Sequence, residues 1–322
     1  MQIFNLVLAQ MLMMFTLMAV GFFLRKKGIV TENAHVTLSK METFAFLPAL
    51  NFLNQLQYCT VDNFKKYWTF MLYGLVLILI AILAAYPLSR LFIRKRTGDS
   101  AENYQRNIYK YAMAFGNYGF MGNFIVLGIW GEEMLFKYTM FTFFVTVFCY
   151  GWGLCILIPK EAGGSVAMGL KKGLLSPPMI AVVLGMVGGL LGIHKYLPDF
   201  LNNAMSSASK CMGPVAMLLA GMVIGNYEFK KMFTDKKVYI ASFLRLIVIP
   251  AVFVLVLKLI GTNDEIVSLA FIAFATPLGL NTIVYPSAYG GDPRTGASMA
   301  TVSHTLSVIT IPLMYLLLVV LL

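Results

Sequence analysis

Ten mostly apolar runs follow one another along this chain, each about long enough to cross a bilayer and each bounded by charge or turn residues. They cover approximately residues 3–24, 36–56, 67–93, 106–130, 134–158, 175–194, 204–226, 238–260, 265–289 and 295–321. In lipid only helices and closed barrels satisfy every backbone polar group, so this pattern leaves few folds open. A barrel would read as short segments alternating in polarity, which this sequence lacks. The expectation is an all-α membrane protein with ten transmembrane helices. Composition agrees: at 59% hydrophobic and 12% charged, with mean hydropathy +0.78, the chain is too apolar for a soluble globular domain. The first run has neither the basic flank nor the cleavage site of a signal peptide, so it is expected to remain as a span.

A net charge of +11 would point to nucleic acid in a soluble protein. Here the basic residues fall between apolar runs, so no nucleic-acid partner is expected and membrane lipid is the natural surround. Loops after odd-numbered spans hold Arg25, Lys26 and Lys27, then Arg90, Arg94, Lys95, Arg96, Arg106 and Lys110. They also hold Lys160, Lys171, Lys172, Lys230, Lys231, Lys236, Lys237 and Arg294, seventeen in all. Loops after even-numbered spans hold five: Lys65, Lys66, Lys137, Lys195 and Lys258. Basic loops stay in the cytoplasm, which places both termini outside it. The four cysteines have no metal-ligand spacing, and neither a metal nor another cofactor is expected.

The ninth run is interrupted at Ala275-Thr276-Pro277-Leu278-Gly279-Leu280-Asn281. Proline deletes a helical hydrogen bond and crowds the carbonyl four residues back. Thr-Pro also reads as an N-cap followed by proline at the first helical position, so a second half-helix could start there. A plain proline kink explains this stretch taken alone. A second copy upstream changes the balance. A gapless shift of 159 residues lays Ala114-Phe115 on Ala273-Phe274, Asn117 on Thr276 and Gly122 on Asn281. The same shift lays Gly131 on Gly290, Glu133 on Asp292, and Thr142 and Thr146 on Thr301 and Thr305. Spans four and five thus match spans nine and ten, and a unit of five helices must enter the membrane inverted the second time. Matched interruptions in two halves are the usual pointer to a transporter's binding site.

Each new half-helix start offers unpaired N–H groups and a positive dipole end, a setting for a carboxylate or similar anion. Asn117, Asn123, Thr276 and Asn281 could orient it, with Gly119, Gly122, Pro277 and Gly279 shaping the breaks. No acid lies in either break, which disfavours sodium coupling against proton coupling or none. Five ionisable residues fall in or near spans: Lys40, Glu42, Lys210, Arg245 and His304. Each such group costs at least about 2.5 kcal/mol to insert, so it normally faces a partner or a cavity. Lys40 and Lys210 lie near span ends and can snorkel; Arg245 lies too deep for that. Glu42 is expected to pair with Arg245 or Lys210, or to carry a coupling proton. His304 reads as a hydrogen-bonded core residue or a proton relay.

With these residues in view, the sequence resembles the auxin efflux carrier family, especially its bacterial permeases. Gly116-Asn117-Tyr118-Gly119-Phe120-Met121-Gly122 is similar to the family's Asn-x-Gly-Phe-x-Gly motif. Pro277, Asn281 and Tyr289-Gly290-Gly291-Asp292-Pro293 resemble its second block, and the likeness covers essentially all ten spans. The resemblance implies a five-plus-five inverted repeat with broken, crossing helices 4 and 9, carrying organic anions by an elevator-like alternation. The halves would be residues 1–160 and 175–322, joined by a cytoplasmic linker at 161–174. Spans one, two, six and seven would form a scaffold, often a homodimer contact, and the other six the transport domain. The bacterial members, associated with malate, malonate and related carboxylates, imply a place in the cytoplasmic membrane. Asn123 stands where the family often has proline, and Leu278-Gly279 where it often has Ser-Ala, so substrate identity does not carry over.

The alternatives are a sodium-coupled carrier of the bile-acid type, which shares a ten-helix architecture, and a membrane sensor that binds without transport. An enzyme is not expected, since no span holds paired carboxylates, a His-Glu-x-x-His or a nucleophile flanked by a base.

Overall fold

The computed structural model describes residues 2–93, 100–159, 171, 173–227 and 235–322. Arg94, Lys95, Arg96, Lys160, Lys172, Lys230 and Lys231, and most of the 161–174 linker, lie outside the described residues. Among those described, the secondary structure is entirely helical apart from one isolated antiparallel bridge.

The helices are α1 (Gln2–Lys26), α2 (Ala34–Met41), α3 (Leu47–Tyr58), α4 (Val61–Ser89), α5 (Ser100–Ala114), α6 (Asn123–Phe148) and α7 (Leu154–Leu157). The second half holds α8 (Pro177–Leu190), α9 (Asp199–Gly225), α10 (Lys236–Phe243), α11 (Ile249–Leu259), α12 (Asp264–Ala275), α13 (Asn281–Ala288) and α14 (Arg294–Tyr315). Six helical stretches among the described residues are long and apolar enough to cross a membrane, and α8 is a shorter apolar helix. The molecule is a multi-pass helical membrane protein.

Side-chain caps mark several starts. The Thr60 hydroxyl accepts from the Asn63 N–H at 3.2 Å ahead of α4, and the Asn263 amide oxygen from the Glu265 N–H at 2.7 Å ahead of α12. Asp264 and Glu265 then complement the positive end of the α12 dipole. Within α6, Gly131 has φ 79°, a value that favours glycine, and there the chain turns from one half of the helix to the other.

Two of the continuous helices widen by a π turn just before a proline. Glu42–Phe46 joins α2 to α3 ahead of Pro48, and Leu244–Val248 joins α10 to α11 ahead of Pro250. A proline ring crowds the carbonyl four residues earlier, and a local π turn relieves that clash. The consequence for function is placement: the wide turns carry Glu42 and Arg245 into the interior, at 0% and 2% exposure.

Helix packing follows the small residues. Gly21 and Gly221 set α1 against α9 so closely that a Cβ at either position would overlap a backbone carbonyl of the other helix, Leu218 or Met18. Without a hydrophobic force between helices in lipid, such close contact is what holds them. α3 packs on α8 and α9, with Gly185 and Gly189 of α8 at the seam. The remaining helices build a second group, with α4 against α5 and α6, α11 against α12, and α10 against α14.

Candidate functional site

Pro277 has no N–H to give the Ala273 carbonyl, so α12 cannot continue past it. α12 ends at Ala275, Thr276 turns extended (φ −64°, ψ 145°), and α13 begins only at Asn281. Upstream, α5 ends at Ala114, and a π turn over Tyr118–Gly122 leads into α6. The two breaks touch. The Asn117 N–H donates to the Pro277 carbonyl at 2.7 Å, and Gly116 and Leu278 form the antiparallel bridge. The Leu278 N–H donates to Ser303 Oγ at 3.1 Å, which ties the junction to α14.

What lies past each break is unpaired backbone. Among the described residues, the N–H groups of Tyr118, Gly119 and Phe120, and of Gly279, Leu280 and Asn281, have no protein acceptor. All six residues line a narrow pocket together with Leu47, Gly116, Asn117, Cys149 and Tyr150. It adjoins a second, which shares Leu47, Tyr118, Gly119 and Tyr150. That one is walled by Asn51 of α3, by Asn123, Thr139, Thr142 and Thr146, and by Pro178, Met179 and Val182 of α8. The cleft therefore lies between the two helix groups. Amide, hydroxyl and phenol groups line it, and no carboxylate does among the described residues.

Side chains hold the junction. Asn281 Nδ2 donates to the Tyr111 hydroxyl at 3.0 Å, which lies 3.1 Å from Cys149 Sγ. Asn117 Nδ2 lies 3.4 Å from His304 Nε2. His304 Nδ1 is 2.8 Å from the Ala300 carbonyl, so Nδ1 carries the proton and Nε2 accepts from Asn117. The hydroxyl of Tyr138 donates to the Tyr118 carbonyl at 3.1 Å, and a side chain at Gly122 would strike it.

Several expectations change. Thr276 does not cap α13: its hydroxyl turns back to the Ala273 carbonyl at 3.3 Å, where it helps close α12. Neither Thr276 nor Pro277 lines the cleft. Asn117 makes no side-chain cap, because its amide is turned to His304. Arg245 lies behind the junction, with Nε donating to the Thr276 carbonyl at 3.2 Å and Nη2 to that of Ala273 at 3.5 Å. Lys40 and Lys210 are exposed on the helix surface. Glu42 pairs with neither Arg245 nor Lys210, and both its carboxylate oxygens are buried without a partner.

A buried polar group with no partner costs about 1–3 kcal/mol. Glu42→Met is therefore expected to raise the melting temperature in detergent. An unchanged or lowered value would mean that the carboxyl has a stabilising partner.

Sequence reasoning missed Lys137, which it counted as a loop charge. Its ammonium is buried between Glu265 at 2.8 Å and Glu133 at 3.2 Å, 4.7 Å above the Tyr67 ring, and joins α4, α6 and α12. The Glu133 spacing of four residues was a visible signal; Glu265, 128 residues away, gave none. Ser303 and Tyr111 had no local signal either.

The membrane transport protein family matches residues 6–315. The chain belongs to that family, the auxin-efflux-carrier-like membrane transporters. An uncharacterised transporter of Methanocaldococcus jannaschii is 23% identical over 310 residues, 94% of this chain and 96% of its own length. An uncharacterised transporter of Methanothermobacter thermautotrophicus is 23% identical over 213 residues, 66% of each chain. In a transporter of this family, a cleft at the contact of two broken helices is the natural candidate for the place where cargo is held.

Proposed function

We propose that this transporter is a secondary carrier of a small organic anion, a mono- or dicarboxylate. The observation that carries the reading is the pair of helix starts, each with three N–H groups unpaired among the described residues, opening on one cleft that no described acid lines. Unpaired N–H groups at the positive end of a helix favour an anion without any formal charge in the wall. Asn117, Gly119, Gly122, Asn123, Gly279 and Asn281 frame the bound anion, and Thr276 and Pro277 set the break behind it.

The wider architecture in this proposal is ten spans in an inverted five-plus-five repeat, residues 1–160 and 175–322, with crossed fourth and ninth helices. α1, α2–α3, α8 and α9 form the scaffold and the other helices the moving body. The location of the cleft between α3 and α8 on one side and the broken helices on the other supports an elevator-like alternation. Polar contacts among the described residues bridge the two groups at one end: Gln10 Nε2 donates to the Phe124 carbonyl at 2.9 Å, Asn54 Nδ2 to that of Glu132 at 2.8 Å, and the Tyr58 hydroxyl to the Glu132 carboxylate at 3.4 Å. The chain is placed in a bacterial cytoplasmic membrane with both termini outside, and its coupling, if any, is to protons.

A thermal-shift screen over short carboxylates, aromatic acids and amino acids tests this, followed by flux of each hit in proteoliposomes with and without a pH gradient. Carboxylates are expected to stabilise the protein and to be transported. Asn281→Ala is expected to weaken their binding about tenfold, because it loses the hydrogen bond to Tyr111 that holds the start of α13 at the cleft. Binding without flux would favour a sensor, and stabilisation by amines alone would reject the anion.

A further inference from the structure

We propose that the Arg245 guanidinium is a built-in cation, standing at the end of α12 where a coupling cation would otherwise be held, so that this protein has no sodium site there. The inference rests on the transporter reading above and deepens it at the same junction.

The last carbonyls of a helix have no helical donors, and Pro277 removes the one that Ala273 would have had. These carbonyls mark the negative end of the α12 dipole, and neither Ala273, Thr276 nor Arg245 lines the cleft. Half-helix C-terminal ends and unwound carbonyls are what broken-helix carriers use to coordinate sodium. Here Nε and Nη2 of Arg245 take the Thr276 and Ala273 carbonyls. The guanidinium is buried, Nη1 has no partner, and no carboxylate pairs with it among the described residues. Its neutralisation therefore comes from backbone dipole alone, as it would for a bound metal ion. Gly116 of the other break completes the seat, because any side chain there would overlap Nη2.

A tethered cation differs from a bound one in a way that can be measured. Its occupancy does not depend on the ion outside, and removing it leaves a cavity of guanidinium shape edged by the bare Thr276 carbonyl and by the Ala273 carbonyl, which keeps only the Thr276 hydroxyl. Such a cavity is expected to accept a free guanidinium ion, as a ligand that binds the folded state alone raises its stability.

The experiment compares melting temperatures of the purified full-length protein and Arg245→Ala in sodium chloride, choline chloride and guanidinium chloride. Each salt is used at about 10 mM with ionic strength held constant, well below denaturing concentration. The wild type is expected to melt at the same temperature in sodium and choline. Arg245→Ala is expected to melt lower, and to recover at least half of that loss in guanidinium but not in choline. A wild type stabilised by sodium over choline overturns the proposal, as does a guanidinium effect of equal size on both proteins. Should Arg245→Ala fail to fold, Arg245→Lys serves in its place: it keeps a tethered cation, so it is expected to gain no more from guanidinium than the wild type does, and a larger gain would count against the idea; the wild-type comparison decides independently. The readout needs no substrate, so failure of anion flux would leave it standing.

Discussion

Gly119→Phe is expected to abolish transport and leave the fold intact. A Cβ at this position meets no atom within 4 Å, and its backbone φ is not positive, so the first carbon of a side chain adds no strain and the ring beyond it must enter the cleft. Gly119 lines both pockets, beside the unpaired N–H groups of Tyr118 and Phe120. A ring there occupies the space in which the anion would meet those groups. It also blocks the approach from Asn123 to Asn281. Misplacing a bound group by about 1 Å can cost about 100-fold in rate, and full exclusion costs more. Uptake in proteoliposomes should therefore fall by at least about 100-fold, while the melting temperature shifts by no more than about 2 °C, the scale of a fraction of a kcal/mol. The ligand-induced thermal shift should vanish with it. Undiminished uptake by Gly119→Phe would move the cargo site away from this junction.

How much of this was readable in the sequence depends on how far each interaction reaches along the chain. The positions of the breaks were legible because proline and glycine act locally. Pro277 ends α12 by what it does to Ala273, four residues away, and no distant contact is needed. The interior placement of Arg245 was legible for a similar reason, since a charge two turns inside an apolar run has few other options. Partners were not legible. Glu42 and Arg245 are opposite charges in apolar runs, and composition alone suggests a pair. The fold instead gives Arg245 the carbonyls of a helix end, a partner that carries no side-chain signature. Thr276 is the instructive error. Thr-Pro has two readings, as the start of one helix or the end of another, and the residues alone weigh them equally. The hydroxyl's return to Ala273 and the four-residue gap before Asn281 decide for the end.

Gly116→Ala, three residues from the cleft-facing glycine, should do the opposite of Gly119→Phe and act first on stability. A Cβ at Gly116 would stand 2.6 Å from both the carbonyl oxygen and the hydroxyl of Thr276, and would overlap Arg245 Nη2. Arginine could swing aside, but the Thr276 carbonyl is backbone, fixed by the end of α12 and by the neighbouring Asn117-to-Pro277 hydrogen bond. Relief therefore requires the two breaks to separate, which loses that bond and the Arg245 contacts together. Overpacking alone costs about 1–3 kcal/mol, and each hydrogen bond lost from a buried group adds about 1 kcal/mol or more. A total of about 3 kcal/mol or more is expected, seen as a melting temperature lower by roughly 6 °C or more in detergent. Gly119→Ala is the internal control, since the same methyl group one turn later meets nothing. If both alanines melt with the wild type, the breaks are not held in register by this contact, and the cleft between them cannot be a preformed site. If Gly116→Ala alone falls, the loss measures how strongly the fold works to keep two interrupted helices end against end at the edge of the cleft.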